Sequence, residues 1–521
     1  MKELIAFLLP PAIALSGTRI LRLLLGKEFD SRFGAGLKFA VGLGVGMLVF
    51  TQAALLGALA GINLAGPLAC LGLVWGLVEI FLLAPKTVAA LKQFRFEPGY
   101  LWLLLLLPVL YSWWVFGRLS TLEGTLEFDA NAFWVFKSKV LYLDQGRDLL
   151  YWLHQTSLAY AHWDYPMLVP CLYLLNYGAV GGVDEFVNKV WAFWMVVGLS
   201  VGILSLGRTW QRPHPLPILT VVVLCFLPAS LHFLRQEGGT IPLLFFVSLT
   251  AMLLVKTISL ADEWYLAAGM LTAVGAAMTK FEGLIHLAAW FCVLLPICWW
   301  RGWLKKPVLW RSALACVICL LPYAWFRLDK PVQHPESAWW RDGLATPGAT
   351  FHRFPQAWFL NIGGRFFNSG WFHWQPDKND HLQWIGHWTG VDSLANEQLA
   401  VLPWLVLILL ALALWRKRNR LALICLSGVI LGVFTFLALA ICCLPFMQSD
   451  LARLIDFSSS DEVGRYSFPF VTAWFLGIMV AWFDSLPPAA KAPQPLGGNA
   501  VSEQPPRRPA RGDARPAKGK K

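Results

Sequence analysis

Long apolar runs alternate with short, charged connections along most of the chain. The runs fall near 4–25, 36–62, 65–84, 100–117, 166–182, 188–206, 215–234, 240–258, 264–279, 284–300, 310–327, 399–415, 421–446 and 466–484. Most are about 17–25 residues long, the length an α-helix needs to cross a hydrocarbon core roughly 30 Å thick. They are apolar on every face, as helices surrounded by lipid and by one another must be. The pattern predicts an all-α, polytopic helical membrane protein of about 13–14 transmembrane segments. The first run contains Pro10 and Pro11 and is followed directly by another, so it reads as a retained span rather than a cleaved leader.

Three polar insertions interrupt the series, near 118–165, 328–398 and 447–465. They divide the chain into N-terminal transmembrane helices (1–117), a first external loop (118–165), core transmembrane helices (166–327), a second external loop (328–398) and C-terminal transmembrane helices (399–485). A tail follows (486–521), rich in Pro, Ala, Arg and Lys, whose composition predicts a disordered, cytoplasmic segment.

Charge sets the orientation. Basic residues gather in the connections holding Lys27 and Arg32, Lys86 to Arg95, Arg208 and Arg212, Arg301 to Lys306, and Arg416 to Arg420. Placing all of these inside puts the three polar insertions and the N-terminus outside. Both loops flanking 166–182 then lie outside, so that run cannot be a simple crossing. Pro166 and Pro170 at its start and Gly181-Gly182 at its end suit a re-entrant or half-span segment; otherwise another predicted span is misplaced.

Composition sharpens the class. The 521 residues are 57% hydrophobic and only 14% charged, too few charges to coat a soluble protein of this size. The net charge of +12 sits largely in short loops and the tail, which fits membrane orientation better than a nucleic-acid groove. Most of the ten cysteines lie inside apolar runs, which argues against a disulfide scaffold or a zinc site.

The few remaining polar residues mark candidate chemistry. The first loop opens on Glu127-Phe128-Asp129, two carboxylates just beyond a span that ends outside. They read either as solvated charges on an interfacial helix or as a general base where a lipid-borne substrate meets an aqueous one. Lys137 follows, and the loop returns to the membrane through His162-Trp163-Asp164-Tyr165-Pro166, an aromatic anchor or a second wall of the same site. Thr279-Lys280-Phe281-Glu282-Gly283 is a tight turn at the outer side, where a lysine runs against the positive-inside bias. Its charges either snorkel to the interface or serve a site. Arg465 opens the last span, and outer-face cations of this kind can hold a phosphate. The second loop holds seven Trp between His334 and Trp388, among them Trp339, Trp340 and Trp371, and five of the ten His. It reads as an interfacial belt or as an acceptor-binding lid whose rings stack on sugar faces. No tight His spacing supports a metal cluster.

Together these motifs resemble the GT-C glycosyltransferase superfamily, in its protein mannosyltransferase and aminoarabinose transferase branch. The likeness rests on the acidic motif Glu127-Phe128-Asp129, the returning stretch from His162 to Leu168, the Thr279-to-Gly283 turn and Arg465-Tyr466. It covers about 120–300 well and the rest in layout, with three further spans before the acidic loop and Thr240 where the branch commonly has Asp. The resemblance implies an enzyme that moves a sugar, with inversion, from a polyprenyl-phosphate-sugar to an acceptor hydroxyl on a lipid, glycan or protein. The expected setting is a bacterial inner membrane, with the site facing the periplasm. Asp129 is then the catalytic base and Glu127 its positioning partner. Lys280, Arg465, Lys137 and His162 hold the donor phosphate. Glu282, Trp339, Trp340 and Trp371 hold the acceptor. A divalent metal is left open as a cofactor, with no metal ligand assigned. Two rivals stand beside this reading: an O-antigen ligase or polymerase, and a lipid-linked-sugar transporter or flippase.

Overall fold

A computed structural model describes residues 1–93, 103–122, 130–145, 149–207, 214–226, 238–328, 401–415, 424–425, 428–432 and 461–485. Among them there is helix and no strand. Seven helices are long and apolar enough to cross a bilayer: Lys2–Leu25, Ala35–Leu59, Ala65–Pro85, Glu185–Leu206, Thr240–Leu260, Phe281–Trp300 and Pro307–Leu328. The chain is a multi-pass helical membrane protein.

In chain order the helices used below are α1 (Lys2–Leu25), α2 (Glu28–Arg32), α3 (Ala35–Leu59), α4 (Ala65–Gln93), α5 (Leu107–Leu122), α6 (Phe136–Leu143), α7 (Leu149–Leu153), α8 (Leu168–Val180), α9 (Val190–Leu206), α10 (Pro215–Phe226), α11 (Thr240–Leu260), α12 (Glu263–Ala277), α13 (Phe281–Trp300), α14 (Pro307–Leu328), α15 (Val401–Trp415) and α16 (Asp461–Ser485). Lipid tails are as apolar as leucine, so helix pairs gain by close backbone approach rather than by hiding leucine from water. Helices α1 and α3 do this at Gly17, where a Cβ would lie 1.9 Å from the Gly42 carbonyl oxygen. Side chains left facing outward are large and apolar, such as Phe81 on α4 and Leu314 and Leu321 on α14, as a lipid surface requires.

Contacts at helix ends define two sides. Trp194 near the start of α9 donates to the Phe7 carbonyl in α1, and Ser205 near its end lies against Gly34 just before α3. The end of α1 therefore shares a side with the start of α3. Arg32 pairs with Asp262, bringing the α11–α12 turn to that side, and Lys306 pairs with Glu263 at 3.2 Å. The basic connections around Lys27–Arg32 and Arg301–Lys306 thus meet at one end of the bundle, the end assigned as inner by charge. The Met278–Glu282 turn, following α12 outward, lies at the opposite end. Helices α11 and α16 run parallel, with Lys256 of α11 paired to Asp484 of α16 at the inner end.

The 166–182 segment is resolved by this geometry. Helix α8 has 13 residues, about 20 Å of helix at 1.5 Å each, against a core roughly 30 Å thick. Its first residue, Leu168, donates to the Met278 carbonyl at 3.0 Å, at the outer end of the bundle. Near its last turn, Gly178 presses on the backbone of Ala65 and Gly66 where α4 begins, also at the outer end. Both ends of α8 therefore sit on one side and it does not cross. A simple crossing, which the loop charges already ruled out for this run, is excluded by these contacts.

Candidate functional site

The described parts of 118–165 fold against the ends of α8 and its neighbours. A single π-helical turn, Ala130–Val135, leads directly into α6 and carries Trp134, while α6 carries Lys137. The loop then returns through a short 3-10 segment that stops at His162, whose φ of 49° and ψ of 52° place it in the left-handed region. Such a conformation is uncommon for a residue with a Cβ and turns the chain sharply. That turn presents the carbonyls of His162 and Asp164 to two cations. Lys137 Nζ donates to the His162 carbonyl at 2.6 Å, and Arg327 from the last turn of α14 donates to the Asp164 carbonyl at 2.7 Å.

Aromatic rings fill the spaces between these charges. His162 packs edge-on against Phe133 at 4.5 Å and beside Tyr165 at 4.6 Å. Tyr165 meets Phe281 at 4.7 Å, which joins the returning loop to the start of α13. The Lys137 ammonium lies 5.3 Å from the Trp134 ring centre and 5.8 Å from that of Tyr165, within the range where a ring face attracts a cation. Lys280, the residue before α13, lays its alkyl stem across Gly239: a Cβ there would lie 2.8 Å from Lys280 Cγ. Gly238 in turn faces Trp134. The contacts close a ring through residues 134–137, 162–165, 280–281 and 238–239, so segments more than a hundred residues apart in sequence form one structure.

Both lysines are buried. Lys137 is fully enclosed, and this burial pushes its ammonium down to about 7, opposed by the nearby Asp164 charge. Lys280 and Glu282 are 5% and 4% exposed, with their charged ends 3.9 Å apart. Glu282 lies one turn before His286 on α13, and His286 faces Phe470 of α16 at 6.0 Å between ring centres. Arg465 is in the early part of α16, five residues before Phe470, so its backbone belongs to the outer end that carries Lys280.

Of the residues expected from sequence, Lys137, His162, Lys280 and Glu282 are brought to one outer-end cluster, and Arg465 to the same end by its backbone. Glu127, Asp129, Trp339, Trp340 and Trp371 lie outside the described residues. Two participants were not singled out. Asp164 is fully buried within the His162–Pro166 stretch, and neither of its carboxylate oxygens accepts a hydrogen bond from a described residue. Arg327 is a cation at the end of an apolar run, legible in the sequence, and it binds the Asp164 carbonyl. Among the described residues no three His, Cys, Asp or Glu side chains converge as metal ligands would. The chemistry this arrangement can support is electrostatic: ammonium and guanidinium groups in a low-dielectric, ring-lined setting, where charge interactions are stronger than in water.

What class this architecture defines is plain, a multi-pass helical membrane protein with buried charged side chains toward its helix ends. Comparison with protein-family models, with characterised proteins and with solved structures finds no match for this chain.

Proposed function

We propose that the chain is a GT-C-like membrane glycosyltransferase that moves a sugar from a polyprenyl-phosphate-sugar to an acceptor hydroxyl. Its site would face the periplasm of a bacterial inner membrane. The observation carrying this reading is the convergence of Lys137, His162, Lys280 and Glu282 at the outer helix ends, directly after the segment holding Glu127 and Asp129. A transporter needs its charges or broken helices near the bilayer midplane. Here the buried charges sit toward helix ends, the Lys137, Lys280 and Glu282 group at one end of the bundle and the Lys256–Asp484 pair at the other.

In this mechanism the donor's chain lies among the lipids and its phosphate at the outer surface. Asp129 takes the proton from the acceptor hydroxyl, whose oxygen bonds to the anomeric carbon as the bond from that carbon to the phosphate oxygen breaks. The electron pair of that bond leaves on the phosphate. Negative charge grows there, and Lys280, Lys137 and Arg465 offset it. Glu127 orients the base, and Glu282 and the Trp-rich loop around Trp339, Trp340 and Trp371 hold the acceptor. The inverted product follows from direct displacement.

Asp129→Asn tests the reading in membranes supplied with a polyprenyl-phosphate-sugar. Loss of a general base costs about 10²–10⁴-fold in rate. The variant is expected to express normally and lose transfer by at least that order. Near-normal turnover would overturn the catalytic assignment.

A further inference from the structure

Asp164 has no role in the transfer described above, yet its placement is demanding. An ionised carboxylate in a dry interior is costly unless charge or hydrogen bonds compensate it. Asp164 is fully buried, and neither oxygen accepts a hydrogen bond from a described residue. What surrounds it is positive. Lys137, itself fully buried, binds the carbonyl two residues before it, and Arg327 binds its own carbonyl. Two cations are thus anchored on the backbone of one turn, and that turn carries the Asp164 carboxylate.

We propose that Asp164 is a positioning residue, the buried counter-anion that keeps Lys137 charged at the site and holds the 162–165 turn between Lys137 and Arg327. The inference rests on the glycosyltransferase reading only for what the charged ammonium is used for. The placement stands on the geometry itself, Lys137 holding the turn at the His162 carbonyl and Arg327 at the Asp164 carbonyl. Without Asp164, the buried Lys137 ammonium would lose the carboxylate of the turn it binds, which costs far more than removing a charge together with its partner.

The titration of Lys137 gives the coupling a measurable sign. Its folded value of about 7 lies below the roughly 10.4 of an unfolded lysine. Between those values the unfolded chain binds the extra proton, so this group's contribution to stability improves as pH rises from about 7. Below about 7 it is a constant penalty. Asp164 raises the folded value, so losing it extends the penalty to lower pH. The added cost of Asp164→Asn is therefore small above about pH 8 and grows as pH falls below 7. The other groups against Lys137 are the His162 carbonyl and the rings of Trp134 and Tyr165. All of these are unchanged by the substitution.

The experiment compares apparent melting temperatures of the detergent-purified full chain between pH 5.5 and 8.5. Four forms are needed: the unaltered protein, Asp164→Asn, Lys137→Met and the double variant. Asp164→Asn is expected to lower the melting temperature by at least about 2 °C more at pH 5.5 than at pH 8.5. That difference should vanish in the Lys137→Met background. A pH-independent loss, or one that persists without Lys137, overturns the proposal. If Asp164→Asn does not fold, the double variant is expected to recover yield, and equal failure of both is the overturning result. None of these readouts uses transfer, so they fail or succeed independently of the Asp129→Asn test.

Discussion

Gly283→Ala isolates the turn that carries Lys280 and Glu282 without altering any charged group. Helices α12 and α13 meet in a tight connection: Met278 N–H donates to the Val274 carbonyl at 3.0 Å, Thr279 Oγ1 to the Ala276 carbonyl at 2.5 Å, and Gly283 N–H to the Lys280 carbonyl at 3.0 Å. A Cβ on Gly283 would lie 1.8 Å from the Ala276 carbonyl oxygen and 2.4 Å from its carbon. Ordinary contacts are about 3.5 Å, so the two helices must part by more than about 1 Å, and the obstruction is backbone that no rotamer can relieve. The cost falls at the upper end for overpacking, about 3 kcal/mol. Lys280 and Glu282 move with the turn, and a misplacement of about 1 Å near reacting groups costs on the order of 10²-fold in rate. The assay pairs the apparent melting temperature of the purified chain with its transfer rate. Both are expected to fall, with the rate falling even at temperatures where the protein stays folded. Gly302→Ala is the control: φ there is 67°, nothing lies within 4 Å of the added carbon, and the site is at the inner end. It should cost about 1–2 kcal/mol of backbone strain and leave transfer intact. A Gly283→Ala protein that melts and transfers like the unaltered one would refute the close approach. Equal loss of transfer in Gly302→Ala would show that the effect is not local.

Two further outcomes are expected. Lys137 offers a positive charge only below about 7, so transfer should decline as pH rises through that value, and Lys137→Met should lack this alkaline limb in the pH–rate profile of its residual activity. At the inner end, Lys256 and Asp484 form a buried pair that fastens α11 to α16, with Ser259 Oγ donating to the same carboxylate at 2.5 Å. Lys256→Met alone should destabilise by about 3–5 kcal/mol, and Lys256→Met with Asp484→Leu should recover most of that, measured by thermal melting.

The parts of this architecture legible in sequence are those set by solvent. Bilayer thickness demands long apolar runs, so α1, α3, α4, α9, α11, α13 and α14 stand where hydropathy puts them. Loop charge likewise anticipated that Arg32 and Lys306 share a side, and the pairs to Asp262 and Glu263 bear this out. Helix α8 was half legible: charge counting raised the conflict, and the contacts of Leu168 and Gly178 at its two ends show that it does not cross. The site divides the same way. Lys137, His162, Lys280 and Glu282 were visible because an isolated charge in an apolar chain has few structural reasons to be there. Asp164 and Arg327 were harder because their importance is relational. Asp164 sits in an aromatic stretch that reads as an interfacial anchor, and Arg327 at a helix end that reads as snorkelling. Each gains its meaning from a backbone carbonyl some 160 residues away in sequence or from a charge across the turn, and hydropathy carries no record of such pairings. The local conformation that makes them possible, a left-handed His162, is equally silent, since histidine has no compositional preference strong enough to announce it. In a membrane protein of this kind, sequence locates the charges and the fold decides which of them act together.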